Sequence, residues 1–153
     1  MATKYKVSAG ILLEPRWHQD PPQICVTAGR ERINYNLYDQ RWFRFDFETD
    51  QAQEYITVEF LNKQNTDTVP EQGLDKAVIV RTVDFFGIQD PKFVWAGVYE
   101  PRYPEPWASQ QTTLEPVLKN YNYLGWNGKW TLTFDVPVFT WIHQVQNLGW
   151  IYR

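Results

Sequence analysis

At 153 residues and 43% apolar, the chain is long enough to bury a core of its own and too apolar to remain disordered. A net charge of −3, with Lys and Arg scattered along the chain, argues against a nucleic-acid partner, whose binders concentrate positive charge on one face. The single cysteine, Cys25, excludes an internal disulfide, and no apolar run reaches the length of a membrane span.

The composition also carries a positive signal. Aromatic residues make up 17% of the chain, as 8 Trp, 9 Tyr and 9 Phe. Aromatic side chains favour strands and bury large areas. So many in a domain of this size exceed what one core needs, and the surplus is expected to face a ligand or a partner.

No charged-then-apolar leader follows Met1, so no signal peptide is expected. Tyr5, Val7, Ala9, Ile11 and Leu13 then alternate as a strand does, up to Pro15. Pro21-Pro22 precedes a second strand from Ile24 to Thr27. Ala28-Gly29-Arg30-Glu31 reads as a hairpin turn into a strand carrying Ile33, Tyr35 and Leu37. From Trp42 to Phe47 the side chains sort onto two faces, with Phe43, Phe45 and Phe47 pointing at the core. Tyr55 to Leu61 and Ala77 to Val83 are strands rich in β-branched and aromatic residues, joined by a polar loop from Asn62 to Lys76. Phe93 to Tyr99 reads as another short strand.

From Glu100 to Gly128 the pattern breaks, because Pro101, Pro104, Pro106 and Pro116 each remove a backbone donor. This is expected to be a long ordered loop with aromatic anchors. Asn127-Gly128 is a type I′ turn signal, and it leads into a clean alternation of Trp130, Leu132, Phe134 and Val136. Val138 to Tyr152 is compatible with a last strand or a short helix. The whole reads as an all-β chain: one antiparallel two-sheet β-sandwich or jelly roll over residues 1–153, with a long proline- and aromatic-rich loop at about 100–128.

Catalytic signals are weak. His18 and His143 are the two histidines and Ser8 and Ser109 the two serines, and none lies in a glycine-flanked nucleophile elbow. Cys25 sits mid-strand, where a buried, inert thiol is expected. Glu48, Glu54, Glu59, Glu100 and Glu105 do not cluster on one strand as the carboxylates of a β-sandwich glycosidase would. The chain is therefore read as a non-enzyme.

Two binding candidates stand out. The Asn62 to Lys76 loop offers hard oxygens in Asn65, Asp67, Glu71 and Asp75, the donor type calcium takes, with Asp67 and Asp75 as the leading pair. Polar loops between strands are more often simply solvated chain, and this loop's spacing does not match an EF-hand. The second candidate is Tyr99-Glu100-Pro101-Arg102-Tyr103-Pro104-Glu105-Pro106-Trp107, where prolines stiffen the backbone and so present rings at low entropic cost. Tyr99, Arg102, Tyr103, Trp107 and, further on, Trp126 form the expected contact set. Three roles stay open for it: stacking on a sugar face, anchoring a neighbouring subunit, or folding back to plug the sandwich.

The block from Glu54 to Gly87, with Val58-Glu59-Phe60-Leu61-Asn62, an acidic turn, and Asp75-Lys76-Ala77-Val78-Ile79-Val80, is similar to calcium-dependent xylan-binding carbohydrate-binding modules. The Ile24 to Phe47 hairpin with its Gly29 turn fits their layout. Tyr103-Pro104-Glu105-Pro106-Trp107-Ala108-Ser109-Gln110 and Leu124-Gly125-Trp126-Asn127-Gly128-Lys129-Trp130 resemble structural proteins of tailed bacteriophages, particularly those infecting cyanobacteria. Together the resemblance spans roughly residues 22 to 150. It implies a virion component, in a tail, fibre or surface position, made in the host cytoplasm. Its sandwich would derive from a sugar-binding scaffold, with other virion subunits as partners in a homo-oligomer, a glycan as a further ligand, and both chain ends tied down. The alternative is a stand-alone carbohydrate-binding module that holds polysaccharide through its exposed aromatics.

Overall fold

The computed structural model of the protein describes residues 3–146. The strands are β1 (Tyr5–Arg16), β2 (Gln23–Ala28), β3 (Glu31–Asn36), β4 (Arg41–Thr49), β5 (Gln53–Phe60), β6 (Ala77–Phe85), β7 (Val98–Pro101), β8 (Leu118–Lys119), β9 (Tyr123–Leu124) and β10 (Gly128–Asp135). Two short α-helices, α1 (Pro91–Trp95) and α2 (Val138–Val145), and three single-turn 3-10 helices, Asn65–Asp67, Pro70–Gln72 and Ala108–Gln110, accompany them among the described residues. The strands form two antiparallel sheets, one ordered β4-β1-β6-β9 and the other β3-β2-β5-β10-β7-β8. This is the β-sandwich expected from the period-two patterning.

The core lies between the sheets. From the smaller sheet come Val7, Ala9, Ile11, Leu13, Phe43, Phe45, Val78, Val80, Val83 and Phe85; from the larger come Ile24, Val26, Ile56, Val58, Phe60, Trp130, Leu132 and Phe134, all buried. Phe43 and Phe45 point inward as their alternation requires, whereas Phe47 is half-buried at the core's edge. Its ring covers the β2–β3 hairpin. Gly29 turns there at φ +59°, and a Cβ on it would lie 2.9 Å from the Phe47 ring, so the turn needs glycine for both backbone and space.

Three local expectations are corrected and one open alternative is decided. Pro15 does not end the first strand, because β4 pairs with β1 only as far as Leu13; beyond that point β1 has one neighbour and tolerates a residue without a donor. Phe93 lies on α1, not on a strand. Asp90 caps this helix by accepting the Lys92 amide at 2.8 Å, and Pro91 stands at its first position, where no donor is needed. Asn127-Gly128 does not close a hairpin, since β9 and β10 belong to different sheets. The Asn127 amide instead clamps the Lys63 backbone, accepting its N–H at 2.6 Å and donating to its carbonyl at 3.1 Å. Gly128 is needed because a Cβ would meet the Glu100 carbonyl oxygen at 2.5 Å. Finally, Val138–Val145 is helical, with Val138, Trp141 and Ile142 on its buried side. The rest of that expected element and the expectation of a tied-down Met1 lie outside the described residues.

One irregularity shapes the surface. Leu12 faces Thr82 while Leu13 faces Val80, so Arg81 is an extra residue in β6. This β-bulge leaves Val80 and Val83 buried and turns Arg81 and Thr82, consecutive in sequence, both outward.

Candidate functional site

The loop after β7 is ordered by its own hydrogen bonds. Arg102 donates its amide to the Asn127 carbonyl at 2.7 Å, the Tyr103 hydroxyl donates to the Glu115 carbonyl at 2.8 Å, and the Ala108 amide reaches the Pro104 carbonyl at 2.8 Å. On this frame three rings come together. Trp107 lies 5.2 Å from Trp126 and 5.8 Å from Tyr103, and Tyr103 lies 6.2 Å from Trp126, centroid to centroid. None of the three belongs to the buried core, and Trp107 is 36% exposed. The Lys63 ammonium sits 5.8 Å from the Trp126 ring centroid, and Arg102 is exposed beside Tyr103.

Tyr99, expected in the contact set, is not part of this surface. It lies on β7, is completely buried, and stacks on Tyr121 at 5.9 Å and 7°. Its hydroxyl donates to the Trp126 carbonyl, and burial holds the phenol well above its ordinary pKa. The prolines that stiffen the loop begin only at Pro101, one residue pair beyond the inward position that Tyr99 fills. Tyr99 therefore supports the Trp126 backbone from beneath. The Trp126 amide also contacts the same hydroxyl, at 3.2 Å.

The acidic loop between β5 and β6 folds around two lysines. Asp75 Oδ1 accepts from Lys63 Nζ at 2.5 Å, from the Thr68 hydroxyl at 2.7 Å and from the Lys76 amide at 2.9 Å. Its Oδ2 accepts from the Tyr123 hydroxyl at 2.5 Å. Lys76 is 1% exposed; its Nζ stands 2.6 Å from Asp20 and 3.3 Å from the buried Asp67, whose Oδ2 also takes the Gln64 amide at 2.7 Å. His18 hydrogen-bonds the Asp67 carbonyl at 2.8 Å. Asp75 is thus held below the usual carboxylate range: its burial works against the charge, but the hydrogen bonds from Lys63, Tyr123 and Thr68 outweigh that. Tyr123 is pushed up to about 12, first by burial and then by Asp75.

These residues do not fit calcium as arranged. The ion takes six to eight oxygens, yet here the carboxylate oxygens of Asp67 and Asp75 face ammonium groups and N–H and O–H donors. Asn65 and Glu71 lie exposed, away from this arrangement's buried part. Among the described residues, no three His, Cys, Asp or Glu side chains group as metal ligands. The sequence held the signal, in that Lys63 and Lys76 bracket the acidic stretch and supply its cations internally. Thermal melts with a chelator and with millimolar calcium are accordingly expected to superimpose. A calcium-dependent rise in melting temperature would show that the folded protein binds the ion after all.

The same network carries a pH dependence. Because the folded-state pKa of Asp75 is depressed, its contribution is present above the ordinary value of 3.8 and is lost as pH falls through the lower folded value. Asp75→Asn should therefore flatten the acid limb of a stability–pH curve, read by denaturant melts. An unchanged limb would remove Asp75 from that account.

Cys25 is buried on β2, and burial raises its thiol pKa, as an inert thiol requires. Among the described residues no helix is long and apolar enough to cross a membrane.

No protein-family model and no curated protein matches the chain. Among solved structures it is similar to the selenomethionine form of vCBM60, from work on a circular permutation linking two families of calcium-dependent carbohydrate-binding modules. The two share 13% identity at a TM-score of 0.48, over 85% of this chain and 90% of that one. A likeness at that level transfers neither ligand nor metal. Nothing in the geometry or in these comparisons supports a virion role.

Proposed function

We propose that the protein is a carbohydrate-binding module that holds polysaccharide on the Trp107 surface without cleaving it. One observation carries the reading: Tyr103, Trp107 and Trp126 cluster outside the core, on a loop that its own hydrogen bonds hold rigid. A core plug would be sealed, whereas Trp107 is an exposed residue. Rings presented in this way pack on the C–H face of a sugar, and a preordered loop lowers the ordering cost of binding. Arg102 and Glu105 stand exposed on the same loop as polar groups for hydroxyls, while the Lys63 side chain stays buried beneath Trp126. In this role Asp67 and Asp75 act through Lys63 and Lys76, as braces of the loop that carries Lys63 to Trp126.

Affinity electrophoresis in gels containing xylan, mixed-linkage glucan or mannan tests the reading, beside a denaturant melt. Trp107→Ala should lose about 2 kcal/mol of binding, some thirtyfold, while unfolding at nearly the same denaturant concentration. Unretarded wild-type protein in every gel, or a variant that unfolds early yet binds undiminished, would overturn it. A molecular mass that rises with concentration in light scattering, and that Trp107→Ala returns to the monomer, would assign the surface to self-association instead.

A further inference from the structure

A second concave feature lies away from the Trp107 surface, where β6, α1 and the chain before β9 meet. It is a cleft of about 140 Å³ whose lining includes Arg81, Thr82, Gln89, Asn122, Val94 and Trp95. The bulge in β6 creates one wall, because it sends Arg81 and Thr82 out side by side where regular alternation would have buried one of them. Trp95, 46% exposed at the end of α1, also lines the cleft.

Three polar side chains of the cleft, Arg81, Gln89 and Asn122, are each pinned through nitrogen and keep one polar atom unpaired. Arg81 fixes Nε and Nη2 on Glu14, at 3.0 and 2.5 Å, which leaves Nη1. Gln89 spends its amide nitrogen on the buried Asp84 at 2.9 Å and keeps its Oε1. Asn122 spends its own on the Val80 carbonyl at 3.2 Å and keeps its Oδ1. Asp90 is fully engaged, accepting from the Lys92 amide at 2.8 Å and from Gln146 Nε2 at 2.9 Å. The cleft therefore offers a donor and two acceptors held in place by their other bonds, with the Thr82 hydroxyl and the exposed Trp95 indole also in its lining.

The charge balance narrows the ligand. Arg81 is neutralised by Glu14, which disfavours a phosphate or carboxylate, and among the described residues Asp90 is not grouped with two further carboxylate, His or Cys side chains that would hold a metal ion. What fits is a neutral molecule with a flat C–H face and hydroxyls that both donate and accept. The volume lies well below the roughly 300 Å³ at which drug-sized pockets begin, so it suits one ring and not a chain. We propose that this cleft is a separate carbohydrate subsite, which stacks a single pyranose ring on Trp95 and binds its hydroxyls through Arg81, Thr82, Gln89 and Asn122.

Nitrogen-labelled protein, followed by NMR at its indole N–H and side-chain amide signals, tests this independently of the Trp107 surface. The probes are xylohexaose, cellohexaose, mannohexaose and laminarihexaose, each added to millimolar concentration. At least one should shift the Trp95 indole and the Gln89 and Asn122 amides, in wild type and in Trp107→Ala alike. Trp95→Ala should weaken the response of the two amides at least tenfold while the melt stays unchanged. Should Trp107 and Trp126 stay silent while Trp95 responds, the Trp107 reading fails and the subsite stands. The subsite is overturned if no probe moves Trp95, or if its shift vanishes in Trp107→Ala and so merely relays binding elsewhere.

Discussion

Phe85→Ala is expected to lower the free energy of unfolding by about 3–5 kcal/mol, the range for deleting a buried phenylalanine. The ring is fully buried and lies 4.8 Å from Phe134, 5.4 Å from Phe93 and 5.5 Å from Trp141. Those three partners come from β10, α1 and α2, so no single element can shift to refill the space. A cavity that cannot collapse puts the cost at the upper end of the range. Denaturant unfolding reads it directly, and an unchanged midpoint would show that the helices do not dock on the sandwich as described.

A loss of comparable size is expected from Lys76→Met. The substitution keeps most of the side-chain volume but leaves the buried Asp67 carboxylate without its ammonium, and breaking a buried pair costs about 3–5 kcal/mol. The comparison variant is Lys76→Met with Asp67→Asn, which removes both charges and should recover a large part of the loss. If the single variant were as stable as wild type, solvent or Asp20 would have to be compensating the carboxylate. Equal destabilisation in single and double variants would place the effect in packing alone.

The sandwich was legible because its strands alternate cleanly: Val7 to Leu13, Val58 to Phe60 and Trp130 to Phe134 each show one face to the core and one to solvent. The tightest turn was legible too, since Gly29 sits at the one position of that hairpin that needs φ above zero. The errors have local causes. Phe93 to Tyr99 is apolar enough to mimic a strand, and the Asp90-Pro91 start signal that marks α1 is short and easily passed over. Asn127-Gly128 carries a strong turn preference, but which sheet each flanking strand joins is a tertiary matter that two residues cannot encode. The β6 bulge was invisible because Val80-Arg81-Thr82-Val83 breaks alternation by one residue only. The candidate site divides in the same way. Trp107 and Trp126 stand out in the sequence by their proline- and glycine-rich setting, and their rings do come together; Tyr99 shares that setting only by adjacency and is buried, and Trp95 is inconspicuous inside an apparent strand. The acidic loop was read for its oxygens, without its two lysines.

The position of β1 bears on how the chain reaches this structure. β1 lies between β4 and β6, and its second partner begins only at Ala77. During synthesis at roughly 5–20 residues per second, that partner emerges several seconds after β1 has left the ribosome. For that interval β1 can pair with β4 at most, and its apolar face, from Val7 to Leu13, has only β2, β3 and β5 of the opposing sheet to pack on until β10 completes that layer. Nascent chains of this protein therefore pass through a stage in which a long hydrophobic strand is exposed on one edge, the condition under which chaperone capture competes with folding. Closing such distant pairings also places refolding in the slow, millisecond-to-second class of all-β proteins.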